Sequence, residues 1–227
     1  PRLIQEKGVK TAMVGNISIV SEVYNIGINH GFDELITVER SDYDTPWITE
    51  EALNWLDKND QNDFFLYLHY NNPHAPYRAP IQDILNTYKN NINFLSYIQI
   101  MEWLYKAEIH YLDRYLKKLF SHLEKNKSLK NTQVFITADH GDQHRLRNFN
   151  SNERAPSFKG AYFDHGATLY QEEIGVPLIS FKLGTKDPSV IKRPVSTLSL
   201  GPSLLKFYGL KVPAYCQSKS LAQLETQ

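Results

Sequence analysis

Four short apolar, β-rich runs punctuate the chain, at Thr11 to Val14, Phe64 to Tyr70, Gln133 to Ala138 and Val176 to Phe181, separated by segments long enough to hold helices. This alternation predicts an α/β fold, with a mixed, mostly parallel sheet flanked by helices. Between the second and third runs, Met101, Leu104, Tyr105, Leu112, Leu116, Leu119 and Leu123 recur at three- and four-residue intervals, with Lys106, Arg114, Lys117 and Lys118 opposite. That stripe predicts one long amphipathic helix packed on a sheet. A shorter helix is expected from Thr49 to Leu56, where a capping threonine precedes Glu50 and Glu51 in the first turn. Asn59 to Asp63 and Leu123 to Asn131 are polar turns into strands, whereas Arg145 to Lys159 has no apolar period and reads as an exposed or mobile loop. With no internal repeat and no linker, residues 1–227 read as a single domain.

Composition removes several function classes. Lys plus Arg equals Asp plus Glu at 25 each, so no global field favours nucleic acid or an acidic membrane surface, and any anion must be held by a local site. The lone thiol, Cys216, excludes an internal disulfide and a multi-cysteine zinc cluster within one chain, and reads as structural. No apolar run approaches the roughly 20 residues that span a bilayer, and Pro1-Arg2-Leu3-Ile4 lacks a signal-peptide core. Neither a Gly-rich phosphate loop nor a Gly-x-Ser-x-Gly elbow is present.

Chemistry concentrates at three strand-associated turns. In Val134-Phe135-Ile136-Thr137-Ala138-Asp139-His140-Gly141-Asp142 an apolar run delivers a carboxylate and an imidazole side by side. Open α/β sheets place ligands at such strand ends, and an oxygen with a neutral imidazole suits Zn, Mn or Fe. Adjacent strand residues face opposite ways, so Asp139 and His140 share an ion only if the turn at Gly141 redirects one of them. The same Asp-His-Gly would equally serve as a capped turn. The second turn, Asn71-Asn72-Pro73-His74-Ala75-Pro76-Tyr77, holds His74 between two prolines, placing its imidazole to donate to a leaving-group or anionic oxygen. His69, earlier in that strand, is expected to pack against the sheet. The third, Asp164-His165-Gly166-Ala167-Thr168-Leu169-Tyr170, offers His165 to an anion or a metal.

In this order and spacing the three turns resemble the sulfatase family of the alkaline phosphatase superfamily. Phe64 to Tyr77 is similar to that family's strand ending in Pro-His-x-Pro-Tyr, and Gln133 to Gly141 to its Thr-Ser-Asp-His-Gly turn. His165 to Leu178 is similar to its Lys/His-Gly-x-Thr-Leu-Tyr-x-Glu segment ending in Val-Pro-Leu. Glu6 to Ala12, His30-Gly31-Phe32-Asp33, Leu198 to Leu210 and Ser218-Lys219-Ser220-Leu221 resemble weaker family marks, so the likeness covers nearly the whole chain. It implies an alkaline phosphatase-like fold, a divalent cation (Ca, Mn or Zn) held by Asp139 and His140, and substrate contacts from His74 and His165. His165 would stand where many members have an anion-binding lysine, with Lys159 as the alternative.

The family's opening strand with two metal-binding aspartates, and the Cys/Ser-x-Pro-x-Arg nucleophile motif that follows, have no counterpart between Pro1 and Gln227. The resemblance therefore implies a sulfatase-like α/β domain that is amino-terminally incomplete, lacking its first strand and nucleophile helix. Such a chain alone should be inactive and bind metal weakly, because two ligands from one turn leave most of the coordination sphere to water. The leading expectation for the full-length protein is hydrolysis of a small-molecule or sugar sulfate ester. The alternatives are a phosphodiesterase or phosphonate monoester hydrolase of the same superfamily, or a sulfatase-like module that binds without catalysing.

Overall fold

The computed structural model describes residues 1–15, 30–37, 44–87, 97–142, 165–166, 169–185 and 189–225. The polar segment from Arg145 to Lys159, and Lys159 with it, lies outside the described residues. Element order is α1 (Arg2–Gln5), β1 (Lys10–Gly15), β2 (Glu34–Thr37), α2 (Thr45–Lys58), β3 (Phe64–His69), α3 (Ile81–Thr87), α4 (Tyr97–Lys125), β4 (Gln133–Thr137), α5 (Gln171–Ile174), β5 (Leu178–Lys182), α6 (Leu200–Phe207) and α7 (Leu221–Glu225). Contacts divide the chain into two compact units, residues 1–70, 119–134 and 181–227 in one and 71–118 and 135–180 in the other.

The first unit is organised by a parallel sheet of order β2-β1-β3. Ala12 of β1 stands opposite both Glu34 and Leu66. Being central, β1 is buried from Thr11 to Gly15, whereas β3, which among the described residues has a β-neighbour on one side, is half-buried despite its continuous apolar sequence. β2, only Glu-Leu-Ile-Thr, is too short to register as an apolar run. It is fixed at its entrance by Asp33, whose carboxylate accepts from the Thr11 amide at 2.8 Å and the Thr11 hydroxyl at 3.0 Å. Gly31 precedes it at φ +88°, with a Cβ there only 2.5 Å from the Arg2 amide nitrogen, so His30-Gly31-Phe32-Asp33 is a structural mark.

α2 starts four residues before the expected Thr49. Asp44 is its cap, accepting from the Trp47 amide at 3.3 Å, and Pro46 sits in the first turn where its missing N–H matters least. Thr49 is instead fully buried inside the helix, donating to the Thr45 carbonyl and lying 3.0 Å from the Tyr70 hydroxyl. Burial pushes that phenol up to about 12 against the pull of Thr49. Trp55 and Leu56 of α2, Leu119 and Leu123 of α4, Leu129 and Ala12 form the core of this unit. Each large apolar side chain buried there contributes about 1.5–3 kcal/mol. The serine-rich end is stapled by Ser199 Oγ to Ser218 Oγ at 2.7 Å, and Ser203 Oγ accepts from the Leu221 amide at 2.8 Å.

α4 bears out the apolar stripe, extending it to Tyr97–Lys125, with Lys106, Arg114, Lys117 and Lys118 exposed. Within the second unit, Asp83 of α3, 1% exposed, receives Arg114 on both oxygens at 2.8 and 2.7 Å and lies 2.8 Å from His110 Nδ1. Burial alone would raise its carboxyl, but Arg114 and then His110 overcome that and hold it below the usual carboxylate range. A depressed folded-state value means that the stabilisation is present above the unfolded value near 4 and is lost as pH falls through the folded one. Asp83→Ala is expected to destabilise the chain by about 1.5–3 kcal/mol at pH 7. The deficit should shrink toward pH 3 in urea titrations, and a pH-independent difference would contradict this account.

β4 and β5 pair as a separate two-stranded sheet, and β4 is half-buried. β5 begins at Leu178, two residues after the expected Val176, because Pro177 has no N–H for a ladder bond. Among the described residues no helix is long and apolar enough to cross a membrane.

Candidate active site and metal centre

β4 ends at Thr137, and the chain turns through Ala138 to Asp142. Asp139 is exposed, and its Oδ1 accepts from the His140 amide at 3.0 Å while its Oδ2 lies 3.7 Å from His140 Nε2. The turn has thus brought the two side chains to one side, overriding strand alternation. Gly141 permits this by close approach. Its N–H donates to the Glu173 carbonyl at 2.7 Å, and a Cβ at this position would lie 2.1 Å from the Glu172 carbonyl oxygen.

His165 and His74 converge on the same turn. The His165 ring stacks on that of His140 with centroids 3.7 Å apart, and the His74 ring meets His165 edge-on at 5.1 Å. Asp142 Oδ1 is 2.7 Å from His165 Nδ1. A carboxylate can only accept, so Nδ1 carries a proton, and the Nε2 edge becomes a second donor only in the doubly protonated ring. The His74 ring Nδ1 faces the Ala75 carbonyl, which likewise turns its Nε2 edge outward. His69, in the first unit, has its Nδ1 3.2 Å from the Tyr67 hydroxyl.

Asp142 and Glu173 are site residues that strand and turn patterns did not single out. Asp142 was nonetheless visible as the acid directly after Asp139-His140-Gly141. Glu173 is 4% exposed and accepts from the Gly166 amide at 2.9 Å, so its side chain and its carbonyl hold the His165 and His140 turns together. That tie joins residues distant in sequence, which no local pattern encodes. Nearby, burial and then the charge of Asp142 raise the Tyr105 phenol.

The donor set suits a divalent cation. His140, Asp142 and His165 each place one ligand atom within 4.8 Å of the others, close to the span that one ion with bonds of about 2.0–2.3 Å bridges. The 3.7 Å between Asp139 Oδ2 and His140 Nε2 is also a separation that two ligands of one ion can have.

This architecture is alkaline phosphatase-like. BT4656, solved with its substrate D-glucosamine-2-N,6-O-disulfate, superposes with a TM-score of 0.70 at 17% identity over 99% of this chain and 63% of that one. A protein of the alkaline phosphatase superfamily from Vibrio parahaemolyticus gives 0.64 at 16% over 97% and 50%. The phosphonate monoester hydrolase from Silicibacter pomeroyi gives 0.68 at 16% over 97% and 60%. The Sulfatase family model matches residues 1–210, and the chain belongs to that family. Among curated relatives, a sulfatase of Formosa agariphila is 27% identical over 80% of this chain and 40% of its own length. The N-acetylglucosamine-6-sulfatase of Capra hircus is 26% identical over 74% and 33%. The chain therefore matches well under half the length of either relative.

Proposed function

We propose that the full-length protein hydrolyses a sulfate ester of a sugar or another small molecule, and that this chain supplies the metal- and anion-binding part of its active site. The observation that carries the reading is the convergence of His74, His140 and His165 at the Asp139–Asp142 turn, in a chain of the sulfatase family. Relatives named as sulfatases, and a fold neighbour solved with a sulfated glucosamine, support the substrate class.

In this reading Asp139 and His140 would hold a divalent cation (Ca, Mn or Zn), and such an ion would supply Lewis-acid stabilisation of negative charge on the ester's oxygens. His74, as the doubly protonated imidazolium, donates from Nε2 to the leaving-group oxygen while Nδ1 donates to the Ala75 carbonyl. His165, as an imidazolium held by Asp142 through Nδ1, donates from Nε2 to a non-bridging oxygen, and fixed donors of this kind stabilise charge that develops in the transition state. Lys159 is proposed as a further anion contact. The nucleophile, a formylglycine hydrate, is proposed to come from sequence outside residues 1–227.

An aryl sulfate and an aryl phosphodiester offered to the full-length protein test the reading. Faster turnover of the sulfate is expected. Far faster turnover of the phosphodiester would transfer the proposal to the phosphodiesterase and phosphonate hydrolase branch, and turnover of neither would leave a binding module.

A further inference from the structure

We infer that Glu108 is a positioning residue for His74, its buried carboxylate clamping both ends of the loop that presents the imidazole. The inference rests on the role proposed above for His74. Glu108 is 0% exposed on α4, and a carboxylate taken out of water is tolerated only where donors surround it. Three donors do so. Asn72 Nδ2 reaches Oε2 at 2.5 Å, while Oε1 accepts the backbone N–H groups of Arg78 and of Ala79, the latter at 2.5 Å.

Asn72 opens the loop and Ala79 closes it, both buried, whereas His74 between them is exposed. One side chain therefore holds together the two ends of the excursion that carries the histidine. Tyr105, one turn earlier on α4, adds an edge-on ring contact to Tyr77 at 5.9 Å. The contacts of His74 inside the loop are local: its amide donates to the Asn71 carbonyl at 2.8 Å and its ring faces Ala75. Where the ring stands relative to His165 thus depends on the frame that Glu108 fixes.

Conservative substitutions separate position from mere presence. Glutamine keeps one acceptor oxygen for the two backbone donors, and Asn72 can turn its amide to match the other end. Aspartate keeps the charge but withdraws it by one methylene, loosening both ends of the loop.

The experiment compares kcat and KM of the full-length protein with Glu108→Asp, Glu108→Gln, His74→Ala and the Glu108→Asp/His74→Ala double variant. Each is assayed on an aryl sulfate and on an alkyl sulfate. A proton donor to the leaving oxygen matters most when the leaving group is poor. Glu108→Asp is therefore expected to lower kcat about 30-fold on the alkyl ester but only about threefold on the aryl ester, with KM little changed. Glu108→Gln should remain within about threefold of wild type on both, and Glu108→Asp should add less than about twofold on top of His74→Ala. An equal loss on the two esters, or a loss undiminished in the His74→Ala background, would overturn the positioning role. If His74→Ala itself responds equally to both leaving groups, the role of His74 falls, and this inference with it.

Discussion

Asp139→Ala in the full-length protein is expected to lower kcat/KM for an aryl sulfate by about a thousandfold and to strip the purified protein of bound divalent metal. Asp139 stands at the rim of the histidine cluster, exposed, with one oxygen on the His140 amide and the other 3.7 Å from His140 Nε2. Asp142 serves as the control, because its oxygen is 2.7 Å from His165 Nδ1 and its role is to aim that ring. Asp142→Asn should cost about 10–100-fold, the usual scale for a group that orients a neighbour, with metal content largely retained. Activity and elemental analysis of both variants decide the assignment. Metal lost from Asp142→Asn but kept in Asp139→Ala would reverse it, and move the cation to the His140, Asp142 and His165 set.

Gly141→Ala carries the second large effect, and it should be both structural and functional. The added carbon would lie 2.1 Å from the Glu172 carbonyl oxygen, and that oxygen belongs to a backbone already tied to Gly141 by the 2.7 Å bond to Glu173. No flexible side chain can give way, so the two backbones must part. Overpacking of this kind destabilises by about 1–3 kcal/mol. The same displacement moves His140 and Asp142, which flank the glycine, and a shift of about 1 Å in such groups can cost roughly a hundredfold in rate. Denaturant unfolding together with steady-state kinetics measures both, and a variant with wild-type midpoint and activity would refute the close-approach role of this glycine.

Much of this arrangement was legible from residues alone, because local patterns encode it. Gln133 to Ala138 and Phe64 to Tyr70 became β4 and β3 within one residue, and the stripe from Met101 to Leu123 became α4. The misses have physical causes. Thr49-Glu50-Glu51 imitates a helix start, but Asp44 followed by Pro46 supplies the real one, and Thr49 is spent on an interior bond to Tyr70. The half-burial of β3 goes with its place at the edge of the sheet among the described residues, which apolar content cannot report. Likewise, histidines at 74, 140 and 165 could be nominated one by one, whereas the bonds of Glu108 to Asn72, of Asp142 to His165 and of the Glu173 carbonyl to Gly141 join residues far apart in sequence.

The central place of β1 has a consequence for how the protein is made. Both of its partners, β2 and β3, lie downstream in the chain. At about 5–20 residues per second, the ribosome needs roughly 3–10 s to deliver β3 after β1 has emerged. Through that interval Thr11-Ala12-Met13-Val14, wholly buried in the finished sheet, is an apolar segment with unmatched backbone edges. Heterologous expression yield should therefore be governed by nascent-chain aggregation at β1 and respond to slower translation or added chaperone, independently of any change in the histidine cluster.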